Sequence, residues 1–303
     1  MLGGLSIDLD GLEHYHRIHG LPPRAAGAPD PVYGAAVARF GELCARLGLR
    51  GTAFCIGESL AAPAAAAAVA ALARAGHELA NHTQTHPYAL TRLAPAAIAA
   101  EVRGGADAVE RACGARPVGF RAPGYALSAP LLAVLVEDGY RYDSSAFPAA
   151  PYYLAKAAVM GALALRRQPS GAILDRPRVL LAPAAPYRPR ADEPYARGAA
   201  PIVELPVATG LLGFPLIGTT VATLPAAARL LAGPARRRPL VNLELHGVDL
   251  LDATDCPGPL ADRQRDLRVP AATKIARIER FVKAMGREWL TLAEVAERVA
   301  ATL

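Results

Sequence analysis

Short apolar runs alternate with longer amphipathic stretches over the first half of the chain. The apolar runs predict buried strands at residues 5–9, 51–56, 77–80, 118–120 and 140–142. The amphipathic stretches predict helices, several of which begin near a proline or end at a glycine, at residues 31–47, 60–75, 95–113 and 129–138. This alternation predicts an α/β fold with a parallel sheet, in which functional side chains follow the carboxyl ends of the strands.

The alternation breaks after residue 148. Residues 151–167 predict an apolar helix, and residues 169–198, which are rich in proline and arginine, predict an irregular segment. Strands return at 202–205 and 240–245, and two closing helices are predicted at 271–285 and 291–300. Because no repeat and no linker separates two cores, we expect one domain over residues 1–303 with an irregular insertion at about 149–200.

Two further segments lack a clear period. Residues 10–27 are polar, contain three histidines and two prolines, and are predicted to form a long loop. Residues 205–224 contain no charged residue and are long enough to span a bilayer. Their glycines and prolines favour instead a buried loop that lines a pocket.

Composition narrows the functional classes. Of the 303 residues, 52% are hydrophobic and 20% are charged, which supports a large core and excludes global disorder. The net charge of +6 comes without interleaved basic and aromatic residues, so we expect no nucleic-acid partner, while an acidic substrate or a membrane surface stays open. The four cysteines form no C-x-x-C pair, and no signal-peptide pattern opens the chain, so we predict a cytoplasmic protein.

Residues able to bind a metal ion follow two of the predicted strands. His82 and His86 lie four residues apart, and Asp8 and Asp10 lie two apart. Two imidazoles and one carboxylate make a three-ligand set with an open position, which is the form of catalytic zinc sites. The residues alone leave open which aspartate is the ligand, and the other could act as general base toward a bound water.

Three residues after other strands could complete an active site. Arg121 could hold the base ionised, His246 could protonate a leaving group, and Asp143 could orient the imidazole of His246. Each also has an ordinary structural interpretation as a surface charge or a satisfied buried group. Their joint occurrence, each after a strand, favours an enzyme.

These residues are similar to the motifs of the polysaccharide deacetylases, carbohydrate esterase family 4. His82-Thr-Gln-Thr-His86 resembles the second family motif, H-[S/T]-x-x-H, in full. The other motifs are resembled, from about residue 2 to residue 250, by Ser6-Ile-Asp-Leu-Asp10, Arg121-Ala-Pro-Gly-Tyr125, Tyr142-Asp-Ser144 and His246. The resemblance implies a distorted seven-stranded (β/α) barrel.

The resemblance also implies a role for each residue. The metal ligands would be Asp10, His82 and His86, and the catalytic residues would be the base Asp8, Arg121, Asp143 and the acid His246. One divalent ion, expected to be Zn²⁺, would be the cofactor. Residues expected to meet the substrate or its oxyanion are Gly124, through its backbone N–H, Tyr125 and Glu244.

Three positions depart from the commonest family pattern. Leu9 separates the two aspartates, a D-x-D form similar to the branch of cytoplasmic deacetylases, deformylases of lipid-linked sugars and metal-poor allantoinase-like members. Gly124 stands where an aromatic residue often follows the proline. Glu244 replaces the usual leucine, and strand alternation places it on the same side as His246.

The expected function is therefore hydrolysis of an N-acyl group, in the first place acetyl, from an amino sugar in a glycan or a lipid-linked precursor. One alternative is another C–N hydrolysis on the same scaffold, such as deformylation or an allantoinase-like ring opening that needs no tightly bound metal. The other alternative is a glycan- or lipid-binding module that performs no catalysis.

Two segments suggest where a lipid-linked substrate would be met. Apolar residues in 205–224 precede Arg229 and residues 236–238, which are all arginine, and the predicted helix 151–167 ends in two arginines. Apolar surface beside clustered arginine is typical of peripheral proteins on an anionic leaflet. These segments could place the protein at the inner membrane face, or they could simply pack on the barrel.

Overall fold

The computed structural model of the chain describes residues 1–25, 27–165 and 174–303. Its strands are β1 (Leu2–Asp8), β2 (Thr52–Cys55), β3 (Glu78–Asn81), β4 (Gly119–Phe120), β5 (Tyr142–Asp143), β6 (Val203–Glu204), β7 (Leu240–His246) and β8 (Glu288–Leu290). Its α-helices are α1 (Leu12–Ile18), α2 (Val37–Leu47), α3 (Pro63–Arg74), α4 (Pro95–Cys113), α5 (Ala129–Glu137), α6 (Ala150–Leu165), α7 (Gly218–Thr223), α8 (Pro225–Ala235), α9 (Pro259–Arg263), α10 (Ala271–Met285) and α11 (Leu292–Ala300).

Seven strands form one curled parallel sheet in the order β6-β5-β4-β3-β2-β1-β7. The chain just after β6 meets β7, because the Ala208 N–H donates to the Asn242 carbonyl at 3.0 Å. Strand β8 adds to the start of β1. This architecture confirms the predicted α/β class and the distorted seven-stranded (β/α) barrel.

Strand alternation separates an apolar layer from a polar barrel interior. In β1, Leu5 and Ile7 belong to the main hydrophobic core with the surrounding helices. The intervening Ser6 and Asp8 are also buried, and the Ser6 hydroxyl lies 3.4 Å from Oδ1 of Asn242 in β7. Because successive side chains of a strand point to opposite faces, the two strands line the inside of the barrel with polar groups.

Most predicted helices form where the sequence places them. Helix α4 begins at Pro95 and ends before Gly114, whose φ of 78° provides the left-handed cap. Helix α10 ends in the same way before Gly286. Helix α6 covers most of the predicted 151–167 helix, whose two terminal arginines lie outside the described residues.

Two segment predictions were wrong. Residues 10–27 are not a loop throughout, because α1 occupies part of them and buries Leu12, His14 and Tyr15 against the barrel. Residues 205–224 do not form one buried loop: they contain α7 and a short 3₁₀ turn, Leu211–Gly213, whose leucines are exposed. Among the described residues, no helix is both long and apolar enough to cross a membrane.

A glycine in α4 lets this helix lie directly on the segment that follows β3. A Cβ at Gly105 would come within 2.6 Å of the backbone carbon of Thr83 and closer still to Oδ1 of Asn81. We expect Gly105→Ala to lower the free energy of unfolding by about 1–3 kcal/mol, the usual cost of overpacking. Denaturant unfolding measures this change.

The neighbouring Gly104 is a matched control. The three atoms nearest to a Cβ at Gly104 would all belong to the Gln84 side chain, at 3.2–3.3 Å. Alanine also gains about 1 kcal/mol over glycine in a helix interior. Equal stability of the Gly104→Ala and Gly105→Ala proteins would contradict the close packing of α4 on the site.

Candidate active site

Three side chains converge at the carboxyl ends of β1 and β3. The Oδ1 atom of Asp10 lies 3.4 Å from Nε2 of His82 and 3.3 Å from Nε2 of His86. All three side chains are buried. The structure therefore brings together the three residues predicted to be metal ligands, in the geometry of a common coordination site.

The two histidines meet because the backbone between them turns sharply rather than continuing as a helix. Thr83 and His86 have φ angles of 68° and 56°, a left-handed conformation that residues other than glycine rarely adopt. Asn81 stabilises the turn: its Oδ1 accepts from the Thr83 N–H at 2.9 Å, and its Nδ2 donates to the Val102 carbonyl and the Tyr140 hydroxyl. Strain of this kind persists where surrounding contacts fix the backbone, and it is often found at functional sites.

The donor atoms suit a divalent cation. His82 Nδ1 lies 2.7 Å from the Arg121 carbonyl, so this nitrogen donates and leaves the Nε2 lone pair directed at Asp10. Within the described part of the chain, Asp10 Oδ1 and both ring nitrogens of His86 are buried without a hydrogen-bond partner. Buried polar atoms normally have partners, and a cation bound by Asp10, His82 and His86 would satisfy the facing ones.

Asp8 is held by a different contact. Its Oδ1 accepts from Arg121 Nη1 at 2.5 Å, while its Oδ2 lies 3.9 Å from His82 Nε2. Burial raises the pKa of Asp8, and the charges of Arg121 and His82 offset part of that rise. One oxygen of the Asp8 carboxylate is therefore bound by Arg121, and the other faces His82.

Arg121 is fully buried, and its donors are nearly all used. Nε donates to the Ser144 carbonyl at 2.9 Å, and Nη2 donates to the hydroxyls of Ser144 and Ser6. Its guanidinium also lies over the Phe54 ring, 4.1 Å from the centroid. Because these contacts fix the guanidinium, Arg121 also fixes the orientation of Asp8.

His246 closes the other side of the site at the end of β7. Its Nε2 lies 3.9 Å from Asp10 Oδ2 and 3.4 Å from the Tyr125 hydroxyl. Its Nδ1 lies 2.8 Å from Oε1 of Glu244, which is fully buried. Burial acts to lower the pKa of His246, but the charge of Glu244 outweighs it and holds that pKa well above its usual range.

The partner of His246 corrects one prediction. We expected Asp143 to orient this imidazole, but Glu244 occupies that position because it lies two residues earlier on the same strand and on the same face. Asp143 instead accepts from the Ser145 hydroxyl at 2.7 Å and lies beside Glu204 in the β5–β6 strand pairing. Burial and the Asp143 carboxylate raise the pKa of Glu204 well above its usual range.

An aromatic wall adjoins His246. The Tyr125 ring packs against Phe147 and Tyr152, the latter from α6. Gly124 has a φ of 66°, and a Cβ there would lie 3.4 Å from the Tyr88 ring and 3.8 Å from Lys156 Nζ. The Gly124 backbone and the Tyr125 side chain therefore border the site, while Glu244 lies beneath it.

The sequence analysis missed two residues that contact His86, one of the three predicted metal ligands. The ring centroid of His14, in α1, lies 4.4 Å from that of His86, and the centroid of Tyr88 lies 4.9 Å from it. Burial lowers the pKa of His14 to about 4, so it is a neutral packing partner near neutral pH. The Leu12 and Tyr15 spacing was the available indication that this region is helical.

Comparison with known sequences gives one match. Residues 30–142 match the family model described as polysaccharide deacetylase, a segment that includes His82, His86 and Arg121. No curated protein matches the chain. The family match confirms the resemblance drawn from the motifs.

Solved structures extend the likeness over the whole fold. A candidate polysaccharide deacetylase from Mycobacterium smegmatis is 20% identical, covers 99% of this chain and 90% of its own, and has a TM-score of 0.64. A family 4 acetyl xylan esterase from Clostridium thermocellum, in complex with a cobalt ion, is 16% identical, with 97% and 89% coverage and a TM-score of 0.50. A family 4 carbohydrate esterase pseudoenzyme from Bacillus anthracis is 10% identical, with 97% and 65% coverage and a TM-score of 0.50. At these identities the likeness shows the fold alone.

Proposed function

We propose that this chain, whose residues 30–142 match the polysaccharide deacetylase family model, is a metal-dependent hydrolase that removes an N-acyl group, in the first place acetyl, from an amino sugar. One observation carries the proposal. Asp10 Oδ1 and His86 Nε2 are buried without a partner among the described residues, and they converge with His82 Nε2 at the strand ends.

The donor set indicates the cofactor. Two imidazoles and one carboxylate suit zinc or a similar divalent ion better than calcium or magnesium, which prefer oxygen ligands. A bound ion of this kind would lower the pKa of its water toward about 7 and polarise the acyl carbonyl. The proton transfers fall to residues of the chain itself.

Asp8 and His246 have complementary environments for acid–base chemistry. Asp8 Oδ2 is free of Arg121 and can accept a proton from the attacking water. His246 is kept protonated by Glu244, so its Nε2–H can donate to the departing amine. The Gly124 N–H can donate to the oxygen on which negative charge develops.

The side chains that border the site, here called the rim, suit a substrate of the size of a sugar. The Tyr125 ring lies edge-on to His246, Tyr152 packs against Tyr125, and Lys156 adds a cation near Gly124. We propose that residues 1–303 act as one catalytic domain and that the segment at about 149–200 contributes Tyr152 and Lys156 to this rim. The unpartnered ligand atoms favour this proposal over a reaction without metal, and the paired base and acid favour it over a module that only binds glycans.

The test is acetate release from N-acetylated amino sugars. We expect zinc-loaded protein to release acetate from at least one of three panels: free sugars, oligomers, and nucleotide- or lipid-linked sugars. Parallel panels carrying N-formyl groups and an allantoin assay distinguish the alternatives. Formate release without acetate release would change the acyl group, and turnover of allantoin alone, undiminished by chelator, would overturn the proposal.

A further inference from the structure

The positive charge of the chain is concentrated in two stretches. Residues 144–174 and 205–243 contain seven lysines and arginines and no aspartate or glutamate. The remaining positions hold 26 basic and 27 acidic residues, so the net charge of +6 arises entirely from these two stretches. We call them the acid-free stretches.

The fold packs residues 144–165 of the first acid-free stretch against the second stretch, beside the active site. Phe147, Tyr152 and Val207 share one apolar cluster with Tyr125, whose hydroxyl lies near His246. The Val207 N–H donates to the Ala146 carbonyl at 2.9 Å, which joins the two stretches through the backbone. They therefore contribute to one region of the surface, next to the catalytic groups.

That region carries most of the exposed large apolar side chains. Thirteen large hydrophobic residues are exposed in the described part of the chain. Eight of them belong to the acid-free stretches: Leu154, Val159, Leu165, Leu211, Leu212, Phe214, Leu224 and Leu230. Isolated exposed apolar residues are ordinary, but their concentration in one region marks an interaction surface.

One exposed part of this surface is a hairpin-like turn at residues 209–215, which we call the tip. Thr209 pairs with Pro215, and the Gly210 N–H donates to the Phe214 carbonyl at 2.7 Å. At the tip Leu212 is 80% exposed and has a φ of 54°. A strained leucine presented to solvent contributes no packing to the barrel, so its apolar side chain is available to an apolar partner.

Arginines flank the tip on the neighbouring helices. Arg229 of α8, Arg236 directly after that helix and Arg280 of α10 line one shallow groove, and no acidic residue is among its lining residues. The Leu211–Gly213 turn packs on α8, where a Cβ at Gly210 would meet the backbone of Leu231. The apolar tip and the cationic groove are thus parts of one continuous face.

We propose that this face, formed by the 209–215 tip, the outer side of α6 and the arginines of α8 and α10, docks on an anionic phospholipid bilayer. A bilayer accepts apolar side chains below the headgroups and attracts arginines at their level, and it has no need of a complementary groove. Docking itself does not depend on the proposed function. If both hold, the substrate of the neighbouring site is a lipid-linked amino sugar, a consequence that rests on the proposed function.

Flotation with vesicles tests the docking surface on the full chain. We expect binding to phosphatidylcholine vesicles that contain about one third phosphatidylglycerol, and little binding to phosphatidylcholine alone, because arginines favour anionic leaflets. The tip variant is Leu211→Ser/Leu212→Asn/Phe214→Ser, in which asparagine tolerates the left-handed conformation. We expect it to reduce the vesicle partition coefficient by at least about tenfold.

Two double variants with the same loss of charge distinguish the arginines of the proposed face from arginines elsewhere on the surface. Arg229→Gln/Arg280→Gln removes two charges from the groove of the proposed face, and Arg74→Gln/Arg111→Gln removes two exposed arginines from α3 and α4. We expect only the first pair to weaken binding, with thermal melting unchanged in both. Wild type that stays unbound at every composition, or equal loss in both pairs, overturns the proposal. A tip variant that binds normally but abolishes self-association would make the face a protein interface and also overturns it.

Discussion

Asp10→Asn and His82→Ala are expected to lose both the bound metal and at least about 10³-fold in turnover, because a three-ligand site with two remaining ligands no longer holds the ion. Native protein should carry about one divalent ion per chain. The geometry favours Asp10 over Asp8 as the proposed ligand. Asp10 Oδ1 approaches both imidazoles, whereas Asp8 is engaged by Arg121.

Elemental analysis of purified protein measures this loss directly and does not require a known substrate. His16→Ala is the control, since the His16 ring contacts the Pro22 carbonyl on the far end of α1 and should not affect metal content. Equal metal in wild type and His82→Ala would remove His82 and its partners as ligands. Thermal unfolding of each variant with and without chelator would separate metal loss from misfolding, because a bound ion stabilises only the folded state.

The sequence predicts the barrel well because local residues mark where several of its helices begin and end. Pro95 and Gly114 delimit α4, and Gly286 ends α10, so these boundaries depend on local backbone chemistry. The proposed catalytic groups follow strand ends, and the carboxyl ends of parallel strands meet at the same edge of the barrel. The convergence of Asp8, Asp10, His82 and His86 could therefore be anticipated from position along the chain.

Position along the chain could not show which side chains contact each other inside the barrel. Glu244 and Asp143 both follow the rule for strand ends, and only the three-dimensional order of strands shows that Glu244 is the partner of His246. Helix α1 was missed because its polar residues and nearby prolines resemble a loop, although its buried face contacts the ligand cluster. Likewise, the lack of charge in residues 205–224 indicated burial, whereas the structure exposes Leu212 at the tip.

Asp8 and His246 are the proposed base and acid of the site. We expect Asp8→Asn and His246→Ala each to lower kcat by at least about 10²-fold, the usual scale of a positioned proton transfer, while metal content stays near that of wild type. Asparagine at position 8 still offers an oxygen to Arg121, so the buried guanidinium keeps a partner and the fold should be retained. Single-turnover rates together with elemental analysis measure both quantities.

Glu244→Gln extends the test to the residue behind the acid. The substitution keeps the shape of the side chain but removes the charge that holds His246 protonated, so we expect kcat to fall by about tenfold or more with KM little changed. Asp143→Asn is the comparison, because Asp143 accepts from the Ser145 hydroxyl and lies beside Glu204 in the strand pairing, so it should affect kcat less. If Asp8→Asn lost the metal while Asp10→Asn kept it, the roles of the two aspartates would be reversed. A larger loss from Asp143→Asn than from Glu244→Gln would return the orienting role to Asp143, in contradiction to the 2.8 Å contact between Glu244 and His246.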